Sequence, residues 1–245
     1  MDFSLAVKPL SVGLFCPTDG IVESFKPRSY IPDRKSIKLM TRPVQLGVAA
    51  ASVALNGSKI WQDVAPERRG FFVGARPLVG DQNDIQDALL ASFEGEEFSL
   101  SAYAEKGISR IHPLWLVRGL SNNILGFGSA FWNFQGINMN YCQGDQGGWN
   151  ALVQGALAVH EKRADVVLSG GADSLVGAES IIGSDCSEGG AFILWGRSDT
   201  PFKLVKSDLE KWATGLGKLG AAKWPIALAR KLLANNPHLT DEKGY

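Results

Sequence analysis

The chain has 245 residues and a mass of 26.4 kDa, is 45% hydrophobic and 20% charged, and balances 25 Lys+Arg against 25 Asp+Glu. This composition suits a folded chain of one large or two small domains, and at zero net charge it shows no basic footprint for nucleic acid. No apolar run reaches the roughly 18–20 residues that span a bilayer, and residues 1–8 (MDFSLAVK) lack the basic and apolar regions of a signal peptide.

In chain order, strands and helices alternate. Residues 11–15 predict a short strand, and residues 45–55 (QLGVAAASVAL) a buried helix whose small side chains allow close neighbours. Residues 70–75 read as a strand running into a turn. Residues 84–93 have helical apolar spacing with Asp84 as the expected N-cap. Residues 120–134 predict a helix, residues 147–162 a stronger one, and residues 164–171 an apolar strand of the kind covered on both faces. Residues 189–195 predict a further strand. Composition shifts near residues 196–201, which places a domain at 1–197 and a partly helical extension at 198–245, with a helix at 225–234. The class is α/β.

Standard chemical motifs are missing. The run Gly126-Phe127-Gly128-Ser129-Ala130-Phe131 does not complete a dinucleotide fingerprint, and Gly170-Gly171 opens none. His112, His160 and His238 show no spacing for a zinc site or a Ser-His-Asp triad. Cys16, Cys142 and Cys186 cannot all pair and have no metal-type spacing, which suits a reducing, cytoplasmic setting. No metal and no cofactor is expected.

A series of segments in fixed order carries more. Lys38-Leu39-Met40-Thr41-Arg42 precedes the Ala-rich helix, and Pro66-Glu67-Arg68-Arg69-Gly70-Phe71-Phe72-Val73-Gly74 follows it. Next come His112-Pro113-Leu114-Trp115-Leu116-Val117, Asn122-Asn123 and Gly136-Ile137-Asn138-Met139-Asn140. Arg163-Ala164-Asp165-Val166-Val167-Leu168-Ser169-Gly170-Gly171-Ala172-Asp173 and Ser187-Glu188-Gly189-Gly190-Ala191-Phe192-Ile193-Leu194 complete the series. Together these resemble the N-terminal half of a β-ketoacyl synthase. The resemblance implies a thiolase-like fold, mainly its N-terminal half, with a mixed sheet covered by helices and a short C-terminal extension.

The resemblance also locates a departure. Active synthases place a Cys at a strained turn where a strand enters a helix, and the helix N-terminus favours the thiolate. Alignment from Gly136 forwards and from Ala164 backwards puts Asp145 at that position, within Gly144-Asp145-Gln146-Gly147-Gly148. A carboxylate is a poor acyl carrier, because its mixed anhydride hydrolyses easily. Asp145 is expected to cap the helix by accepting from Gly147 or Gly148 N–H. Cys142, three residues earlier, reads as a buried structural thiol. The family's catalytic histidine motifs, found in its C-terminal half, do not occur in this sequence.

These departures resemble chain length factors, the inactive partners of ketosynthases in type II polyketide systems, and in particular the short ones of aryl polyene and flexirubin systems. The implied partners are an active ketosynthase and, through it, an acyl carrier protein. The resemblance places Ala75, Arg76, Leu78, Leu114, Trp115 and Leu116 along the acyl channel at the subunit seam, with Asp145, Gln146 and Trp149 beside it. Trp115 either shortens that channel or serves as ordinary packing. The helix faces at 45–55 and 148–159 need a cover, from the 201–245 segment or from another subunit, since wet apolar surface costs about 25 cal/mol per Å². Two other readings stand alongside: a decarboxylase of malonyl thioesters, disfavoured because ionised Asp145 would repel the malonyl carboxylate, and a free-standing acyl-binding scaffold.

Overall fold

The computed structural model describes residues 2–77 and 83–240. A five-stranded sheet forms its centre, built from β1 (Asp2–Phe15), β2 (Arg69–Gly74), β3 (Asn138–Tyr141), β4 (Val166–Ser174) and β5 (Glu188–Val205). Across the sheet the order is β1-β5-β4-β2-β3. The β4–β2 and β2–β3 pairs are parallel, while β5 runs antiparallel to both β4 and β1. The sheet is therefore mixed, and β1 and β3 are its edges.

Helices cover both faces. On one side lie α1 (Arg42–Gly57) and α2 (Asn123–Trp132), and on the other α3 (Asp145–His160) and α4 (Lys223–Asn235). The two-residue period of the strands sorts the core. Phe71, Val73, Leu168, Phe192 and Leu194 point to the α1 side, and Phe72, Val167, Ile193 and Trp195 to the α3 side. Along β2 and β4 every residue is buried, so these strands read as apolar runs rather than alternating ones. The Ala-rich α1 starts after Thr41, with Pro43 in its first turn, and buries eleven of its sixteen residues.

Several elements extend beyond the sequence expectation. β1 begins at Asp2 rather than at residue 11, because an edge strand tolerates Pro9 and the register shifts between Leu5 and Val7 and between Pro9 and Ser11. Strand β5 continues through the expected 197/198 boundary, pairing Arg197 with Val7 and Val205 with Asp2. Beyond it, Leu204, Leu209, Leu216, Trp224, Ile226 and Leu228 join the same core as α3 and the sheet. The segment after residue 197 thus completes this core. The helix expected at 84–93 spans Asn83–Leu90; Asp84 lies in its first turn and accepts from Arg118 Nη1 at 2.7 Å instead of capping. Among the described residues, no helix is long and apolar enough to cross a membrane.

Candidate functional site

The chain turns from β3 into α3 through Cys142, Gln143 and Gly144. Gly144 takes φ +56° and ψ −136°, a conformation that a side chain strongly disfavours, so glycine permits the sharp bend. Gly147 N–H closes the turn by donating to the carbonyls of Gln143 (3.3 Å) and Gly144 (3.0 Å). Asp145 is then the first residue of the helix, with Gly144 as the N-cap. The sequence-expected cap is corrected here. Asp145 is exposed, and among the described residues its carboxylate makes no hydrogen bond or ion pair.

Among the described residues, no imidazole is hydrogen-bonded to Asp145 or Cys142. His160 closes the same helix at the opposite end, about 22 Å away at 1.5 Å per residue, and its Nδ1 accepts from Ala6 N–H at 3.0 Å. His112 Nδ1 accepts locally from Leu114 N–H, and His238 lies in the turn Pro237–Leu239. Cys142 is half-buried, and its Sγ accepts from Asn140 Nδ2 at 3.1 Å. The structure thus puts the thiol on the incoming chain, before the bend.

The expected channel residues Ala75 and Arg76 directly follow β2. Gly74, its last residue, lies so close to α3 that a Cβ there would sit 2.6 Å from Gly148 N and Cα. Ala75 is buried and donates its N–H to Tyr141 O at 3.0 Å, which fixes the rim beside the bend. Arg76 folds inward to Asp173, with Nε 2.8 Å from Oδ1 but outside hydrogen-bond geometry. Leu78 lies outside the described residues.

Gln146 and Trp149 extend the site along α3. Gln146 donates to Asn150 Oδ1 (2.9 Å) and accepts from Lys206 Nζ (2.9 Å). That ammonium also stands 4.7 Å over the Trp224 ring and 5.8 Å from the Trp149 ring. Trp149 is 6% exposed and belongs to the core under α4. Leu114, Trp115 and Leu116 form a separate flank. Leu114 and Leu116 are 42% and 64% exposed, and Trp115 is half-buried. Their segment reaches the bend through Ser121, whose Oγ accepts from Asn140 Nδ2 at 3.3 Å.

Asp173 is the residue that the sequence reading passed over. It falls beyond the strand expected at 164–171, yet it lies inside β4 with its side chain 1% exposed. Burial pushes its carboxyl up to about 6, against the opposing pull of Arg76 and of the Ala221 and Ser174 amides. An acidic residue at the end of an otherwise apolar strand was the available signal, since a buried carboxylate needs partners.

The mixed sheet between helical layers is a thiolase-like fold. Three solved structures share it at low identity. One is the AntDE:AntF assembly, a type II polyketide synthase acyl carrier protein in complex with its ketosynthase bound to the hexaketide (TM-score 0.64, 19% identity, 79% of this chain and 62% of that one). Another is the ishigamide ketosynthase/chain length factor (0.62, 15%, 80% and 59%). The third is a β-ketoacyl synthase from Burkholderia phymatum STM815 (0.58, 13%, 80% and 60%). The chain spans about three-fifths of the length of these chains. No protein-family model and no curated protein sequence matches it.

Proposed function

We propose that this chain is a non-catalytic subunit of the chain length factor type, which pairs with an active ketosynthase and helps to wall the cavity in which a polyketide chain grows on an acyl carrier protein. The observation that carries the reading is Asp145 at the bend. The residue that would accept an acyl group is an exposed carboxylate, with no imidazole hydrogen-bonded to it or to Cys142 among the described residues. Condensation needs a general acid or base beside the acyl-accepting group, and among the described residues no imidazole hydrogen-bonds to it.

The surface beside the bend supports pairing. β3 is an edge strand with Asn138 and Met139 exposed, Met139 to 49%. The neighbouring flank leaves Leu114, Leu116, Val117 and Leu120 between 42% and 64% exposed. An unpaired edge next to apolar side chains is a template for another subunit. The helix faces expected to need a cover have one within the chain, α3 from α4 and α1 from α2 and the sheet. In this reading Ala75, Arg76, Leu78, Leu114, Trp115, Leu116 and Gln146 border the shared cavity. Trp149 acts from beneath, by fixing α3. The aryl polyene or flexirubin-like subtype, which rests on the sequence resemblance, and a cytoplasmic site, which rests on the cysteine usage, belong to the same proposal.

The test is co-expression with the cognate ketosynthase, followed by condensation assays on carrier-protein substrates. A stable complex is expected, with Asp145→Ala retaining most of its turnover. Turnover lost by orders of magnitude in that variant, while the complex survives, would refute a non-catalytic role.

A further inference from the structure

Four side chains form a directional ladder across the bend and the start of α3. Gln143, Gln146 and Asn150 follow the i, i+3, i+7 spacing that aligns side chains on one stripe. Lys206 Nζ donates to Gln146 Oε1 at 2.9 Å, Gln146 Nε2 donates to Asn150 Oδ1 at 2.9 Å, and Asn150 Nδ2 donates to Gln143 Oε1 at 2.8 Å. An amide can present either end to a neighbour, but an ammonium can only donate. Lys206 therefore fixes which way every amide of the ladder faces.

Both ends of the ladder are defined. At one end the Lys206 ammonium stands over the Trp224 and Trp149 rings, which belong to the core, and among the described residues no carboxylate pairs with it. At the other end Gln143 is exposed, and its Oε1 is taken by Asn150. Among the described residues no acceptor meets its Nε2 protons. The Gln143 backbone is itself held, since its carbonyl accepts from Gly147 N–H at 3.3 Å.

We propose that Lys206 orients this ladder so that Gln143 is a specificity-determining donor at the bend, its Nε2 holding a carbonyl oxygen of the acyl chain in the shared cavity. This role rests on the reading of the chain as a ketosynthase partner. The chemistry selects the ligand. The Asp145 carboxylate, two residues along, repels a carboxylate or a phosphate at this point. A ketone or thioester carbonyl is neutral and accepts what Gln143 offers. Covering the ladder with a second subunit removes competing water and strengthens each of its bonds.

Reconstitution with the cognate ketosynthase tests this, with complex formation read by pull-down and condensation read separately as turnover on carrier-protein substrates. Gln143→Glu keeps an oxygen to accept from Asn150 and replaces the outward donor by a second oxygen. It is expected to form the complex as wild type does and to lose turnover about tenfold, the effect of one hydrogen bond to a carbonyl. Lys206→Met still covers the two indoles but leaves the ladder open to either direction, so turnover is expected to fall about twofold. Lys206→Arg, which donates, is expected to restore it. The carboxylate introduced by Gln143→Glu can only accept, so adding Lys206→Met to that variant is expected to change nothing more, whereas independent contacts would multiply. In the chain alone, the side-chain N–H resonances of Asn150 are expected to shift in Lys206→Met and to return in Lys206→Arg. Unchanged turnover of Gln143→Glu within an intact complex, a multiplied loss in the double variant, or unmoved Asn150 resonances would overturn the proposal. A wild-type chain that captures no ketosynthase would overturn the pairing itself, and this role with it.

Discussion

Replacing Gly148 by alanine isolates the contact between α3 and the C-terminal turn. Gly148 is buried in the first turn of that helix. In an unconstrained helix, Gly→Ala stabilises by about 1 kcal/mol. Here the new methyl would lie 2.0 Å from Ala221 O and 2.8 Å from Pro225 Cδ. A backbone carbonyl cannot rotate away as a flexible side chain does, so the turn and α4 must withdraw together. Overpacking of this kind costs about 1–3 kcal/mol, and contact with backbone belongs at the upper end. The net expectation is a loss of about 2 kcal/mol, or a Tm lower by roughly 4–8 °C for a chain of this size. Gly126→Ala in α2 is the matched control: that glycine is exposed, and nothing lies within 4 Å of its Cβ. It is expected to gain the helical term alone, raising Tm by about 2–4 °C. Calorimetry or thermal circular dichroism of the two variants side by side decides the matter. Equal shifts of the same sign would refute the reasoning that the turn is seated on the helix backbone.

Trp195→Phe is expected to cost about 1–3 kcal/mol in urea unfolding, because it strands the buried Ser169 hydroxyl that accepts from Trp195 Nε1 at 2.8 Å. Asp165 is held below its ordinary value of 3.8, first by its hydrogen bonds from Arg68 and then by the Arg68 and Arg197 charges. Its contribution to stability is therefore present above that value and lost as pH falls through the lower folded one. Asp165→Asn should flatten the acid limb of a stability-against-pH curve below about pH 4 while leaving the slope from pH 6 to 8 unchanged. Met139→Glu on the exposed edge strand should leave Tm within about 1 °C of wild type and abolish capture of the ketosynthase in a pull-down. Undiminished capture would remove β3 from the interface.

What the sequence made legible follows from burial. The strand at β4 and the helices α1 and α3 stood out because both faces, or nearly the whole circumference, are packed, leaving uninterrupted apolar or small residues. Residues 2–10 and 196–205 were missed for the opposite reason. They pair with each other at the sheet edge, where Lys8, Pro9 and Arg197 are tolerated, and a polar edge ladder looks like a linker when its mate is nearly two hundred residues away. A strand-to-helix bend does precede Asp145, but its cap is not Asp145. Gly144 supplies the turn geometry through its backbone, so Asp145 had no capping role to fill. Asp173 was hidden by its glycine neighbours, which suggest a turn where the chain continues as a strand. The cover of α3 by α4 depended on the C-terminal segment returning over the start of that helix, a long-range contact that no local pattern encodes.

One strand sets two things at once. Among the described residues β3 is a sheet edge, and it also feeds directly into the bend, with only three residues between Tyr141 and Asp145. A neighbour that hydrogen-bonds along it inherits a coordinate system: sliding by two residues carries the neighbour about 7 Å past the carboxylate, and sliding by one turns every side chain over. Assembly fidelity and the dimensions of any chamber enclosed there are thus one variable. Ångström-scale tuning of the enclosed length can come from alignment at this seam without altering a single lining residue.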